Sequence, residues 1–173
     1  KQDTARYWIE RLGLEPHAEG GWYRELWRSD IVIPGAVLPP AYGGDRSACT
    51  MIHYLLKGKE RSAWHRVRSA EIWLWHAGGI LELSLGGGGD VPVEEGKFLL
   101  GPALPEPPAL PEPTVLPEPT ALPESGRGGC FQAVAPPGIW QSAKIREGSF
   151  VLVSCIVSPG FHWEDFSLPE ESR

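Results

Sequence analysis

The stretch from Gly58 to Gly79, GKERSAWHRVRSAEIWLWHAGG, constrains the fold more than any other part of the chain. Residues 61–67 and 71–77 alternate and are rich in aromatic and branched side chains, the pattern of two strands joined by the polar turn Arg68-Ser69-Ala70. That pattern predicts a hairpin. Successive side chains on a strand point to opposite faces, so His65 and Val67 look one way and Trp64 and Arg66 the other. On the second strand Glu71, Trp73 and Trp75 share a face, with Leu74 and His76 on its reverse. His65 and Glu71 can therefore meet inside a barrel, whereas His76 joins them only through a bulge.

The rest of the composition agrees with short strands and many turns. Gly 21, Pro 18 and Trp 8 in 173 residues suit a β-rich domain better than a helical bundle, and the length suits one domain, 1–173. A net charge of −6 with no basic run lacks the electrostatic footprint of a nucleic-acid binder. The longest apolar runs fall short of the ~20 residues a membrane helix needs, so no membrane partner is expected and the chain reads as soluble. Cys49, Cys130 and Cys155 are odd in number and form no CxxC, which points to buried thiols in the cytoplasm or another reducing compartment. The sequence opens at Lys1 rather than Met, which leaves a removed targeting segment open.

In chain order, residues 3–13 read as a short amphipathic helix with Asp3 as N-cap and Gly13 as C-cap, covering one edge of the fold. Trp22 to Trp27 reads as a strand apolar and charged on both faces, suited to a subunit interface or to a pocket edge. Residues 31–47 read as a loop and 48–56 as a strand in which His53 is expected to be a hydrogen-bonded structural residue. GILELSL reads as a further strand ending in the turn Gly86–Gly89, which is no phosphate loop because no GK[ST] or helix follows. A strand is expected around Lys97 to Leu100. Residues 103–124 repeat a hexapeptide, ALPEPP, ALPEPT, VLPEPT, whose prolines exclude it from a sheet interior and favour an extended surface insert. Its deletion, joining Gly101 to Ser125, is expected to leave the fold intact. CFQAVAPPGIWQSAKI and SFVLVSCIV read as strands around a Pro-Pro-Gly turn and a Glu147-Gly148 turn, and PGFHWEDFSL closes the domain.

Gly58, His65, Glu71 and Gly78, followed by Pro136-x-Gly138-x-x-Gln141, resemble the two motifs of the cupin superfamily. More narrowly, the ordered blocks PHAEGGWYRE, MIHYLL, WHRVRSAEIW-x-WHAG, PPGIWQSA and SPGFHWEDF resemble the cupin-5 family. The resemblance spans nearly the whole chain outside the proline-rich insert. It implies an all-β double-stranded β-helix, or jelly roll, with a small-molecule ligand in the barrel and a homodimeric assembly.

The departures from the motif bear on chemistry. Metal-binding cupins supply two His and a Glu from the first motif and a His from the second. Here Val67 and Gln141 stand at two of those His positions, leaving His65, Glu71 and Gln141 as the metal set on offer. One imidazole, one carboxylate and one amide oxygen make a poor site for Zn²⁺ or Fe²⁺. The expectation is therefore no cofactor, with a divalent metal as the alternative, and His65 and Glu71 as an acid/base pair. Because the gap from Gly58 to His65 is one residue long for the motif, a second register would put Trp64 and Arg66 in the pocket instead. Arg24 or Arg66 is expected to clamp an anionic group. Tyr54, Trp73, Trp75, Trp140 and Gln141 complete the candidate ligand-binding set. Three functions stay open: a sugar or nucleotide-sugar isomerase or epimerase using metal-independent acid/base chemistry, a non-catalytic small-metabolite binder, and a metal-dependent cupin enzyme. EGGWYRE, which resembles the entry strand of metal-independent sugar epimerases, favours the first.

Overall fold

The computed structural model describes residues 4–102 and 130–170. The hexapeptide repeats, the expected deletion across them and the Asp3 cap all lie outside the described residues. The described chain forms one helix, α1 (Ala5–Leu12), and eleven strands. In order these are β1 (Glu15–Pro16), β2 (Trp22–Arg28), β3 (Val32–Ile33), β4 (Arg46–Ser47), β5 (Thr50–Lys57) and β6 (Arg61–Val67). They are followed by β7 (Ala70–Leu85), β8 (Gly96–Leu100), β9 (Gln132–Ala135), β10 (Gln141–Ser158) and β11 (Phe166–Ser167).

Two strands, β7 and β10, belong to both sheets of the barrel. The second half of β10 lies between β5 and the first half of β7, with Leu55 opposite Leu152 and Cys155 opposite Trp73. The same sheet extends through β2 and β1 on one side and β9 on the other. The first half of β10 lies between β6 and the second half of β7, which pairs onward with β8. Each long strand passes from one sheet to the other at a shared glycine corner. There the register of β7 and β10 slips around Glu147, Gly78 has φ 97° and Gly148 has φ 95°. A Cβ on Gly79 would sit 1.7 Å from the Glu147 carbonyl oxygen, so any side chain there would force the strands apart. The result is an all-β jelly roll.

Two expectations from the sequence change here. β6 and β7 exist with the expected alternation but do not form a hairpin: β6 pairs with β10 and β11, and β7 pairs with β10, β8 and β9. The turn at Arg68–Ser69 sends them into opposite sheets, so each finds its partner far away in sequence. GILELSL is the continuation of β7, and Glu147-Gly148 is a bulge inside β10, so two predicted strands on each side of the corner are one.

The inward faces carry the main core, including Tyr54, Leu56, Trp73, Leu81, Leu83, Val151 and Val153. Outside the first sheet, α1 lays Trp8, Ile9 and Leu12 over Leu55, Phe150 and Leu152. The helix covers a sheet face rather than an edge, because its apolar stripe matches the outward residues of β5 and β10. Thr4 caps its N-terminus by accepting the Tyr7 amide, and Gly13, at φ 61°, ends it. Within the 31–47 segment the short strands β3 and β4 pair with each other. No helix among the described residues is long and apolar enough to cross a membrane.

Candidate functional site

A cavity of about 480 Å³ opens at one end of the barrel. Its inner wall is made by alternate residues of three neighbouring strands, which pleating turns the same way: Thr50, Ile52 and Tyr54 of β5, Cys155 and Val157 of β10, and Glu71 of β7. His65 of β6 closes the floor from the opposite sheet and is 1% exposed. Of the two registers open to the sequence, the one with His65 inside is therefore realised.

The group facing His65 was not singled out in the sequence. Glu19, 8% exposed, brings its Oε2 to 3.2 Å from His65 Nε2. It gets there through the turn between β1 and β2, where Gly20 has φ 104° and Gly21 φ 73°. A Cβ on Gly20 would lie 2.3 Å from the Arg61 carbonyl oxygen, and one on Gly21 would lie 2.7 Å from the Tyr54 hydroxyl. Only a glycine pair lets the turn press onto β6. The Ala63 amide then donates to the Glu19 carbonyl at 2.7 Å and the Tyr54 hydroxyl to the Gly20 carbonyl at 2.7 Å. Residues 17–21 form a hydrogen-bonded turn, with the Gly20 amide donating to the His17 carbonyl at 3.1 Å, so no strand alternation marked Glu19 as inward-facing.

Burial sets the protonation of this cluster. It pushes the Glu19 carboxyl up to about 8, against the opposing effect of the hydrogen bond from Ser62. Burial likewise lowers His65, countered by the charge of Glu71, and raises Glu71. The favoured state is neutral Glu19 beside neutral His65. In that state the Glu19 hydroxyl donates to His65 Nε2, His65 Nδ1–H donates to the Ala63 carbonyl at 2.8 Å, and Ser62 Oγ donates to Glu19 Oε1 at 3.0 Å. His17, whose Nδ1 is 3.6 Å from Glu19 Oε2, is pushed down to about 4, first by burial and then by His65.

Glu71 has its own support. Gln141 Nε2 donates to Glu71 Oε2, and Gln141 Oε1 accepts from the Trp73 indole at 2.9 Å. The indole can only donate, so it fixes which way round the amide sits. This answers the metal question for His65, Glu71 and Gln141. The amide oxygen of Gln141, its one ligating atom, is taken by Trp73, its NH₂ faces Glu71, and His65 Nε2 faces Glu19. That set does not fit a metal ion. Among the described residues no three His, Cys, Asp or Glu gather as a metal-binding group.

The remaining sequence candidates divide. Arg24 reaches the cavity rim while its Nη1 donates to the Leu12 carbonyl at 3.1 Å, and Tyr54 lines the wall. Arg66 does not reach the cavity: it lies on the reverse of β6, its guanidinium 4.5 Å above the Trp140 ring. Trp140, 1% exposed, spends its N–H on the Gly89 carbonyl, and Trp75 spends its own on Gly79. Trp73 is core, packed edge-on to Tyr54 at 5.8 Å. None of these three indoles lines the cavity, because aromatic residues of this size fill the barrel rather than leave a face free.

The aromatic wall comes instead from the C-terminal tail. Trp163 stacks on His17 at 5.9 Å and Phe166 on His65 at 5.6 Å. Tail and barrel are locked by Asp165, 5% exposed, which accepts from Arg46 at 2.6 and 3.0 Å and from Arg68 at 3.1 Å. At the rim Arg28 is held by Glu25 through two hydrogen bonds, 2.7 and 3.0 Å, and donates to the Phe161 carbonyl at 3.0 Å. The block SPGFHWEDF pointed at this segment, but no periodicity revealed that it folds back over the mouth.

The family profile described as Cupin_5, Cupin superfamily (DUF985), matches residues 6–169. A crystal structure of a protein from Shewanella oneidensis is similar at 29% identity and a TM-score of 0.70, covering 96% of this chain and 84% of that one. A hypothetical protein from Leishmania major is similar at 29% identity and a TM-score of 0.69, covering 95% of this chain and 86% of that one. No curated protein matches the chain.

Proposed function

The chain belongs to the cupin-5 family of the cupin superfamily, and on that premise we propose that it binds a small polar metabolite and moves a proton on it without a metal, as a sugar or nucleotide-sugar isomerase or epimerase does. One observation carries this reading: the buried cluster of Glu19, His65 and Glu71 at the floor of a cavity sized for such a molecule. A carboxyl poised near 8 is close to the pH at which it works, which is where a general acid or base is most effective. As carboxylate, Glu19 takes the proton from a carbon next to a carbonyl, with His65 Nε2 stabilising the acid that results. Glu71, raised by burial and held in place by Gln141, in its acid form donates to the oxygen on which negative charge develops. Return of the proton from Glu19 to the neighbouring carbon, with Glu71 passing a proton between the two oxygens, completes an isomerisation. An epimerisation instead takes a proton at the same carbon from a second acid or water on the opposite face. The stacked His17–Trp163 pair and Tyr23 offer the flat apolar wall on which a sugar ring or a base rests.

The test is incubation in D₂O with a panel of aldoses, ketoses and nucleotide sugars, read by NMR and mass spectrometry. Carbon-bound deuterium is expected in at least one compound and is expected to vanish in Glu19→Gln. A compound that binds but never exchanges makes the protein a non-catalytic binder. Exchange that survives both Glu19→Gln and His65→Ala overturns the assignment.

A further inference from the structure

On the outside of the first sheet, away from the cavity, two imidazoles converge on one hydroxyl. His53 Nδ1 is 3.2 Å from Ser154 Oγ and His76 Nε2 is 2.7 Å from the same atom, with the rings 5.9 Å apart and nearly perpendicular. The three residues come from adjacent strands: Ser154 of β10 is directly opposite His53 of β5, and His76 belongs to β7 on the other side of β10.

A backbone irregularity creates this meeting. Along β7 the pairing runs Leu74 with Ser154, Trp75 with Val153 and then Ala77 with Leu152, so His76 is the extra residue of a bulge. A bulge re-aims a side chain, and here it turns His76 over β10 toward Ser154. His76 shares the outward face of Leu74, the residue opposite Ser154, and so joins His53 and never the His65 floor.

The chemistry of the trio suits a cation. In both rings the nitrogen facing Ser154 Oγ is a ligating atom, and both nitrogens lie within 3.2 Å of that one hydroxyl oxygen, so the three donors already converge on one point. Burial favours the neutral, ligating form of both imidazoles. Ser154 is 3% exposed and fixed by the sheet, whereas His76 is exposed, so the site is open to solvent on one side. Arg24 is opposite His53 across the β2–β5 pair, but its guanidinium is drawn off to the Leu12 carbonyl. We propose that His53, His76 and the Ser154 hydroxyl form a surface site for one divalent transition metal ion of the imidazole-preferring kind, such as Zn²⁺ or Ni²⁺, with water filling the remaining positions. Such an ion would tie β5, β10 and β7 together across the sheet.

The experiment is calorimetric titration of the full untagged chain with Zn²⁺ alone at pH 7.5, run on the wild type and on His53→Gln, His76→Gln and His65→Gln. One ion per chain is expected, with affinity falling at least tenfold in His53→Gln and in His76→Gln and unchanged in His65→Gln. His76 is exposed, so His76→Gln keeps the fold, and thermal melts of each variant without metal check this. No binding to the wild type, or binding lost in His65→Gln but kept in the other two, overturns the proposal.

Discussion

Replacing Glu19 by glutamine isolates the feature on which the proposed chemistry depends. Glu19 titrates near 4.5 in an unfolded chain and is pushed up to about 8 by burial in the fold. Because its folded value is the higher one, unfolding releases a proton over the interval between them. The stability it contributes is full below about 4.5 and is lost as pH rises through about 8. At about 1.4 kcal/mol per pH unit the whole interval is worth on the order of 5 kcal/mol, an upper bound because His65 shares the proton. Between pH 7 and 9 the part remaining is about 1.4 kcal/mol, or roughly 3–6 °C in Tm for a chain of this size, read as the difference between wild type and Glu19→Gln so that the histidines and thiols common to both cancel. The amide introduced by Glu19→Gln keeps the shape of the protonated acid and can donate to His65 but cannot ionise. Between pH 7 and pH 9 the wild type should therefore lose about 1.4 kcal/mol more than Glu19→Gln in urea unfolding. Glu71, also raised by burial, leaves a slope of the same sign in both. Equal slopes in wild type and variant would show that Glu19 is ionised in the fold, and the neutral His65–Glu19 pair would be wrong.

Gln141→Leu strands the Trp73 N–H and one oxygen of Glu71 in the core, so a loss of about 2–4 kcal/mol is expected in urea unfolding, more than an ordinary surface change gives. Asp165→Ala leaves buried Arg46 without its carboxylate; a loss of about 3–5 kcal/mol and faster proteolysis between residues 159 and 170 are expected, and unchanged cleavage would remove the tail's role as a lock. Trp27 is 50% exposed on β2, the strand expected from the sequence to form a subunit interface, and light scattering at micromolar concentration should report a homodimer that Trp27→Glu dissociates.

How much of this was legible in the sequence follows from the range of each interaction. An apolar run located β5, and alternation located β6 and the start of β7 and showed that His65 and Glu71 could meet on inward faces, because pleat is a local property. Partnership is not local: β6 and β7 are adjacent in sequence with a good turn between them, yet they bond to strands some 70 residues away. Gln141 was found through motif spacing, but its dependence on Trp73 needed the fold. Glu19 escaped because an acidic residue before two glycines looks like any polar turn until one sees that the turn is pressed into the barrel. Trp140, Trp75 and Arg66 were attractive for their chemistry alone, and nothing in a local pattern distinguishes an indole that fills a barrel from one that lines it.

The shared strand β10 has a kinetic consequence. It is the central partner of β5, β6 and β7, so neither sheet has its interior strand until residues 141–158 are present and in register. A growing chain can pair β2 with β5 and β7 with β8, but β5, β6 and β7 each keep an open edge until that segment arrives, and contacts this distant in sequence are slow to form. Once formed, one ladder carries both halves of the barrel. Neither half can open while the other stays shut, and the jelly roll should unfold as a single cooperative unit.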